Sequence, residues 1–377
     1  MKRRHFLSNT AKSTGGIMVA SSLTTLGLLS GPSGRAGEKR GLGVALVGLG
    51  GYATGQLAPA LERTENCYLA GIVTGTRSKA DSWVDQYHIP SKNVYNYDNF
   101  DEISNNDEID IVYVVLPNSM HAEFVIRAAQ AGKHVICEKP MATKYEDCQR
   151  MIDACRKAEK KLSIGYRLHF EPHNLEAMRL GQRQVFGKVL ESDAGFAFHL
   201  RDKSRWRLDK EMAGGGPLMD VGIYAIQSTI YTLGQLPIAL QATDTTVDRA
   251  FYGAVEGTLD VKFDFPTGVN AKMRTSYEES SNYLKVQAQE GSWELAPAYS
   301  YGGLKGRTHL GAINFPAVNQ QALQMDDFAT CILKDKQSTV RGEMGQRDMF
   351  IIDKIYESAA AGKPVSLKGI PNILHLV

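Results

Sequence analysis

The sequence predicts a two-part α/β protein: an N-terminal doubly wound parallel sheet, then a C-terminal α+β domain built on a large, mostly antiparallel sheet. Three observations carry this. Apolar strand-like runs alternate with helix-patterned segments from Gly41 to Tyr166. After Phe170 the strand-like runs follow one another through loops rather than crossover helices. A chain of 377 residues is long enough for two domains, each with its own core. We expect the halves at residues 37–165 and 166–377.

In the first half, Leu42 to Val47 reads as a buried strand, apolar apart from one glycine, followed by a Gly-rich turn and a helix to about Arg63. Tyr68–Val73 is the second strand, Ser78–Tyr87 a helix and Ile109–Leu116 a strong strand. Asn118 or Ser119 is placed to cap a helix ending at Gly132. Lys133–Cys137, a helix over Tyr145–Lys160 and a strand over Lys161–Tyr166 complete the unit. In the second half, strands are expected at Val189–Leu200, Ile238–Val247, Gly257–Phe265, Val269–Tyr277 and Leu284–Ala288. Helices are expected near Leu218–Leu233, Gln321–Leu333 and Glu343–Ala360.

Composition excludes several function classes. Hydrophobic content of 43% and charged content of 22% are those of a globular domain. Net charge is +2 with no basic stripe carrying interleaved aromatics, which argues against nucleic acid. No run within the folded part has membrane-spanning length. Residues 1–36 read as a twin-arginine export signal: Lys2, Arg3, Arg4, Phe6 and Leu7, then a Gly/Ser/Thr-rich weakly apolar stretch, with no acidic residue before Glu38. The expected location is periplasmic; a membrane anchor or a disordered tail is the alternative. The five cysteines (Cys67, Cys137, Cys148, Cys155, Cys331) are odd in number and lack CxxC spacing, so neither a disulfide framework nor a zinc site is expected. The nine histidines fit no ligand pattern, and no metal is expected.

Gly48-Leu49-Gly50-Gly51-Tyr52-Ala53 matches G-x-G-x-x-A directly after the first strand. Gly48 permits the tight turn, Gly50 lets backbone approach a diphosphate, and Ala53 is small enough for close helix–strand packing. The helix N-terminus then offers free N–H groups to phosphate. The alternative is a glycine-rich turn without a ligand. The second strand ends in Thr74-Gly75-Thr76-Arg77-Ser78-Lys79, with no carboxylate to accept from a ribose 2′-OH. Hydroxyls and cations there suit a 2′-phosphate, so NADP is the expected cofactor. Arg77 and Lys79 could equally be a solvated helix start.

Two further segments carry chemistry. Glu138-Lys139-Pro140 follows a strand at the carboxyl edge of the sheet, where α/β folds bind ligands. A lysine there can reach a substrate hydroxyl, although an exposed strand-to-helix turn would read the same. In Gly214-Gly215-Gly216-Pro217-Leu218-Met219-Asp220-Val221-Gly222-Ile223-Tyr224, Asp220 and Tyr224 stand four apart at a helix start and project from one face. Gly222 leaves room beside them for a ring.

Taken with LPNSMHAEF, AGKHVICEKPMAT, IGYRLHFEP and WRL, these segments resemble the Gfo/Idh/MocA oxidoreductase family, and within it the glucose–fructose oxidoreductase branch. The resemblance runs from Gly41 to about Val365. Most of the family has histidine where this chain has Tyr224; that branch has tyrosine. The resemblance implies Lys139, Asp220 and Tyr224 as the catalytic group, with Tyr166 lining a sugar site. It implies a cis Lys139–Pro140 bond, Asn118 and His121 near the nicotinamide, and Glu138, Leu116, Trp206 and Arg207 on the cofactor side. His169 and His173 lie close to this region. Tyr299 or Tyr301 could hydrogen-bond a sugar, with packing or solvent exposure the alternatives.

The implied reaction has two halves. Tyr224, activated by Lys139, takes the anomeric proton as an aldose is oxidised to its lactone, and Asp220 orients the sugar. A second sugar is then reduced on the same cofactor, which an exported enzyme could not exchange with a cytoplasmic pool. A homo-oligomer is expected by analogy. The rivals are a sugar dehydrogenase with exchangeable NAD(P), a nicotinamide-dependent glycosidase and a non-catalytic sugar sensor.

Overall fold

The computed structural model describes residues 41–203 and 205–377; the export segment expected at residues 1–36 lies outside them. The first sheet comprises β1 (Leu42–Val47), β2 (Cys67–Val73), β3 (Val94–Tyr95), β4 (Ile111–Val114), β5 (His134–Cys137) and β6 (Leu162–Ile164). All its strands are parallel, in the order β3-β2-β1-β4-β5-β6. Strand order reverses between β1 and β4, so a crevice opens outside their carboxyl ends. Every residue of β1 and β4 is buried, as parallel strands covered on both faces must be.

Alternation along β1 divides its side chains between two cores. Ala45 and Val47 face Phe124, Val125, Cys148 and Met151, from the helices His121–Gln130 and Tyr145–Lys157. Leu42, Val44 and Leu46 share the other core with Leu57 and Trp83. That second core also contains Met325 and Phe328 of the helix Gln320–Leu333, so the C-terminal part of the chain completes the first layer. Packing therefore crosses the division expected at residue 165. All five cysteines are free and buried.

The second sheet has nine strands: β7 (Val189–Ala197), β8 (Ala239–Asp244), β9 (Thr258–Asp264), β10 (Asn270–Ser276), β11 (Ser281–Ala288), β12 (Gly291–Leu295), β13 (Gly306–Thr308), β14 (Gly311–Ile313) and β15 (Val365–Ser366). β7 pairs with β10 in parallel; the other pairings are antiparallel. Burial alternates, with Ala271 and Met273 inward and Lys272 outward. The helices Ile223–Leu233 and Gly342–Ala361 cover the inner face.

Several local details depart from the sequence expectation. The helices expected after the glycine turn and at Leu218 both begin with a π-helical turn, over Ala53–Leu57 and Leu218–Gly222. Asn118 makes no side-chain cap; it lies in a 3-10 turn, Asn118–Met120, ahead of His121–Gln130. The helix Pro172–Gln182 was not expected. Proline fits its first position, and the Glu171 carboxylate accepts from the Asn174 N–H at 2.8 Å. Among the described residues, no helix is long and apolar enough to cross a membrane.

Candidate active site

Gly48 ends β1 with φ +96°, and its N–H donates to the Val73 carbonyl at 2.9 Å. A Cβ here would stand 2.7 Å from the Val115 oxygen, so the turn excludes any side chain. A Cβ built on Gly50 or Gly51 would meet nothing within 4 Å, which leaves the loop open to a ligand on the crevice side. Ala53 is fully buried beneath it. The Thr74 hydroxyl accepts from the Thr76 N–H at 3.2 Å and fixes the end of β2. Arg77 is 89% exposed and paired with Asp81 at 3.0 Å; Lys79 is exposed. An exposed i,i+4 pair is worth only about 0.3–0.5 kcal/mol, so a 2′-phosphate would readily draw the guanidinium away. The donor set fits a dinucleotide; residues 74–79 at the end of β2 include no carboxylate, and Asp81 beyond them is paired with Arg77.

The second wall rises from the ends of β4 and β5. His121, expected near the nicotinamide, is buried with Nδ1 2.9 Å from the Pro140 oxygen and Nε2 2.9 Å from the Leu116 oxygen. Burial holds its pKa below the ordinary imidazole value. Both ring nitrogens are turned to backbone, so His121 ties two loops together. Asn118 likewise donates to the Ala213 carbonyl at 2.8 Å, which joins the first half to the glycine-rich segment. The Lys139–Pro140 bond is cis, and so is Ala296–Pro297, which was not expected.

Glu138 is buried and accepts from the Tyr113 hydroxyl at 2.7 Å. A Cβ on Gly165 would fall 2.5 Å from its Oε1, so the carboxylate needs a glycine opposite. Burial raises its pKa, and Tyr113 and the Lys139 charge do not offset this.

Asp220 comes out the other way. Its burial penalty is outweighed by the charges of Lys139 and Arg207 and by hydrogen bonds, and its pKa falls below the usual carboxylate value. Arg207 Nε donates to Oδ2 at 2.8 Å, and the Tyr277 hydroxyl donates to the same oxygen at 3.1 Å. Lys139 Nζ stands 3.6 Å from Oδ1 and donates to the Asp220 main-chain carbonyl at 2.5 Å. Lys139 Nζ also lies 4.9 Å from the centre of the Tyr224 ring, which is 8% exposed. Lys139, Asp220 and Tyr224 therefore meet in one cluster, the grouping that the family resemblance implied.

Arg207 was expected at the cofactor. Here its side chain is the counter-charge of Asp220, and its guanidinium lies 4.8 Å from the Trp206 ring. Tyr299 was a candidate sugar ligand, but it is fully buried. Its hydroxyl donates to the Tyr283 carbonyl at 3.0 Å and shares a 2.8 Å hydrogen bond with Ser228. Its ring stacks 6.2 Å from Tyr224, so the packing alternative holds. Tyr166 is buried, with its ring beside His169 at 6.2 Å. His169 shares a 2.7 Å hydrogen bond with His375, and His173 pairs with Glu171 at 2.8 Å; both are occupied within the fold.

Arg167 was missed, though it sits inside the quoted GYR segment. It is buried and bound to the Gln320 side-chain oxygen, the Tyr299 carbonyl at 2.5 Å and the Ser300 carbonyl at 3.1 Å. Its guanidinium lies 5.0 Å from the Tyr224 ring centre and 4.5 Å from that of Tyr301. Glu256, also missed, accepts from the N–H groups of Gly216 and Leu218 at 3.0 and 3.1 Å. It anchors the glycine-rich segment that carries Asp220.

Two family descriptions match in sequence order. "Oxidoreductase family, NAD-binding Rossmann fold" covers residues 42–166, and "GFO/IDH/MocA C-terminal domain" covers residues 175–295. The chain belongs to the Gfo/Idh/MocA oxidoreductase family. Among its relatives, the D-xylose 1-dehydrogenase [NADP(+)] of Haloarcula marismortui is 29% identical over 86% of this chain and 92% of its own length. D-xylose 1-dehydrogenase (NADP(+)) 2 of Haloferax volcanii is 27% identical, over 85% and 98%. The crystal structure of the aldose-aldose oxidoreductase from Caulobacter crescentus complexed with glycerol superposes with a TM-score of 0.85. It is 40% identical, covering 87% of this chain and all of that one.

Proposed function

We propose that this Gfo/Idh/MocA protein is an NADP-dependent sugar oxidoreductase that oxidises an aldose at C1 to the lactone and reduces a second sugar without releasing its cofactor. The observation that carries the chemistry is the Lys139 ammonium, held between the Asp220 carboxylate and the Tyr224 ring and facing the crevice. A relative 40% identical and named an aldose-aldose oxidoreductase supports the two-sugar reading. The two NADP-dependent xylose dehydrogenases support the cofactor choice and oxidation at C1.

Bound nicotinamide dinucleotide would accept and return two electrons with one hydrogen. The chain's own residues manage the proton. The Tyr224 phenolate oxygen takes it from the C1 hydroxyl in the oxidative half, becoming the phenol, and gives it to a carbonyl in the reductive half, becoming the phenolate again. Lys139 and Arg167 place two positive charges beside that ring, each about 5 Å from its centre. Asp220 stays ionised, keeps Lys139 in place and offers an acceptor to a sugar hydroxyl. The sequence of residues 1–36 favours export by the twin-arginine route, which carries folded proteins and would let the cofactor travel inside.

The test is the absorbance and mass spectrum of the protein as purified, followed by aldose pairs supplied without cofactor. Stoichiometric NADP(H), with lactone and alditol formed together, is expected. An empty protein that turns over only with added NADP would instead place it with the exchangeable dehydrogenases that the halobacterial relatives are named for.

A further inference from the structure

Four side chains form a column across the crevice. Tyr52 follows the two open glycines of the phosphate loop, and its ring centre lies 5.7 Å from that of Tyr301, tilted by 30°. Tyr301 belongs to the loop after the cis Ala296–Pro297 bond, and its ring takes the Arg167 guanidinium at 4.5 Å. Arg167 in turn lies against Tyr224 at 5.0 Å. The loop is held from behind. Arg167 binds the carbonyls of Tyr299 and Ser300, Gln320 Nε2 donates to the Ser300 carbonyl at 3.1 Å, and Asn282 Oδ1 accepts from the N–H groups of Ala298 and Tyr299 at 2.8 Å. Tyr301 is nevertheless 49% exposed, far more than the buried Arg167 beneath it. An aromatic ring half in solvent, on a loop braced this heavily, has been placed for what it touches.

What it touches is the phosphate loop. A Rossmann crevice is ordinarily open on the side away from the sheet, and a dinucleotide leaves by that side. Here the second half of the chain reaches across and rests an aromatic ring on the residue next to Gly50 and Gly51. From this we infer that Tyr301, seated on Arg167, is a clamp that closes the phosphate loop and slows release of the dinucleotide. This rests on the NADP reading above and adds to it the residues that retain the cofactor. Opening the clamp separates one aromatic pair and uncovers one cation–π contact, and together these are sized to slow release by about tenfold or more. The contact requires a ring and not its hydroxyl, since stacking and the cation–π attraction both come from the π face.

The experiment loads the full chain with NADPH and follows nicotinamide fluorescence as excess NADP displaces it. Tyr301→Ala and Tyr301→Leu are expected to release NADPH about tenfold faster than wild type, with Tyr301→Phe within about twofold of wild type. The thermal midpoint of each cofactor-free variant, expected to match wild type, separates the clamp from a general loosening. Equal release from wild type and Tyr301→Ala overturns the proposal, as does equal acceleration by Phe and Ala. The two-sugar reading fails on a different quantity, the wild type's own release rate exceeding its turnover, so the two failures are distinguishable.

Discussion

Arg207 Nε donates to Asp220 Oδ2 at 2.8 Å, and this pairs the guanidinium with the carboxylate proposed to orient the sugar. The expected consequence is specific. Arg207→Ala leaves Lys139 as the only cation beside Asp220, so the ammonium is drawn further from Tyr224. Turnover should fall by about tenfold to a hundredfold while the dissociation constant for NADP stays within about twofold of wild type. A cofactor-binding arginine would give the reverse split, with weaker NADP binding and little loss in saturated turnover. Steady-state kinetics beside direct NADP titration tells them apart.

The Gly165–Glu138 approach gives a second prediction. With a Cβ only 2.5 Å from Oε1, Gly165→Ala forces the carboxylate off the Tyr113 hydroxyl. A buried acceptor and donor then lose each other, which costs about 1–3 kcal/mol. A lower thermal midpoint and reduced turnover are expected, whereas Glu138→Gln, which keeps an acceptor for Tyr113 and leaves Gly165 in place, should retain most of the wild-type stability. Melting curves of the two single variants check this.

Cofactor preference is expected to hinge on Arg77. A charge-assisted bond to a phosphate is worth about 1.5–3 kcal/mol, against less than about 1 kcal/mol for the exposed pair with Asp81 that it replaces. Arg77→Ala should weaken NADP binding by about tenfold to a hundredfold and leave NAD binding nearly unchanged, as read by titration with each nucleotide.

His134 offers a pH test. Burial, then the charges of Lys160 and Lys161, depress its pKa to about 4, and its Nδ1 accepts from the Lys161 N–H at 3.0 Å. The unfolded chain takes up a proton near pH ~6.5 that the folded chain refuses until about 4. Its contribution to stability is therefore complete above ~6.5 and is lost as pH falls toward 4. His134→Asn keeps an acceptor but cannot titrate. Wild type should lose ground to this variant between about pH 7.5 and about pH 5. Parallel melting temperatures across that range would contradict the assignment.

What was legible in the sequence was what sits in short local segments. Gly48 to Ala53, Lys139, and the Asp220–Tyr224 spacing each carry their constraint within a few residues, and the structure brings them to one crevice. Residues whose roles arise from distant partners were not legible. Arg167 binds Gln320, 153 positions away, and Tyr277 reaches Asp220 across 57. No local pattern announces the pairing of Arg207 with Asp220, 13 positions away. β13 and β14, three residues each and glycine-bearing, show no alternation to read. The helix Gln320–Leu333 was expected, but not its packing against the first sheet, because its apolar residues do not say which sheet they will face.

Transfer between two sugars on one retained cofactor leaves an isotopic signature. The most direct measurement incubates the purified full chain with a C1-deuterated aldose and an unlabelled second sugar, with no cofactor added, and locates the deuterium by mass spectrometry. Lactone without deuterium and an alditol carrying it, formed in equal amounts over many turnovers, are expected. Product limited to at most one turnover per chain, resuming only when NADP is supplied, would contradict such transfer.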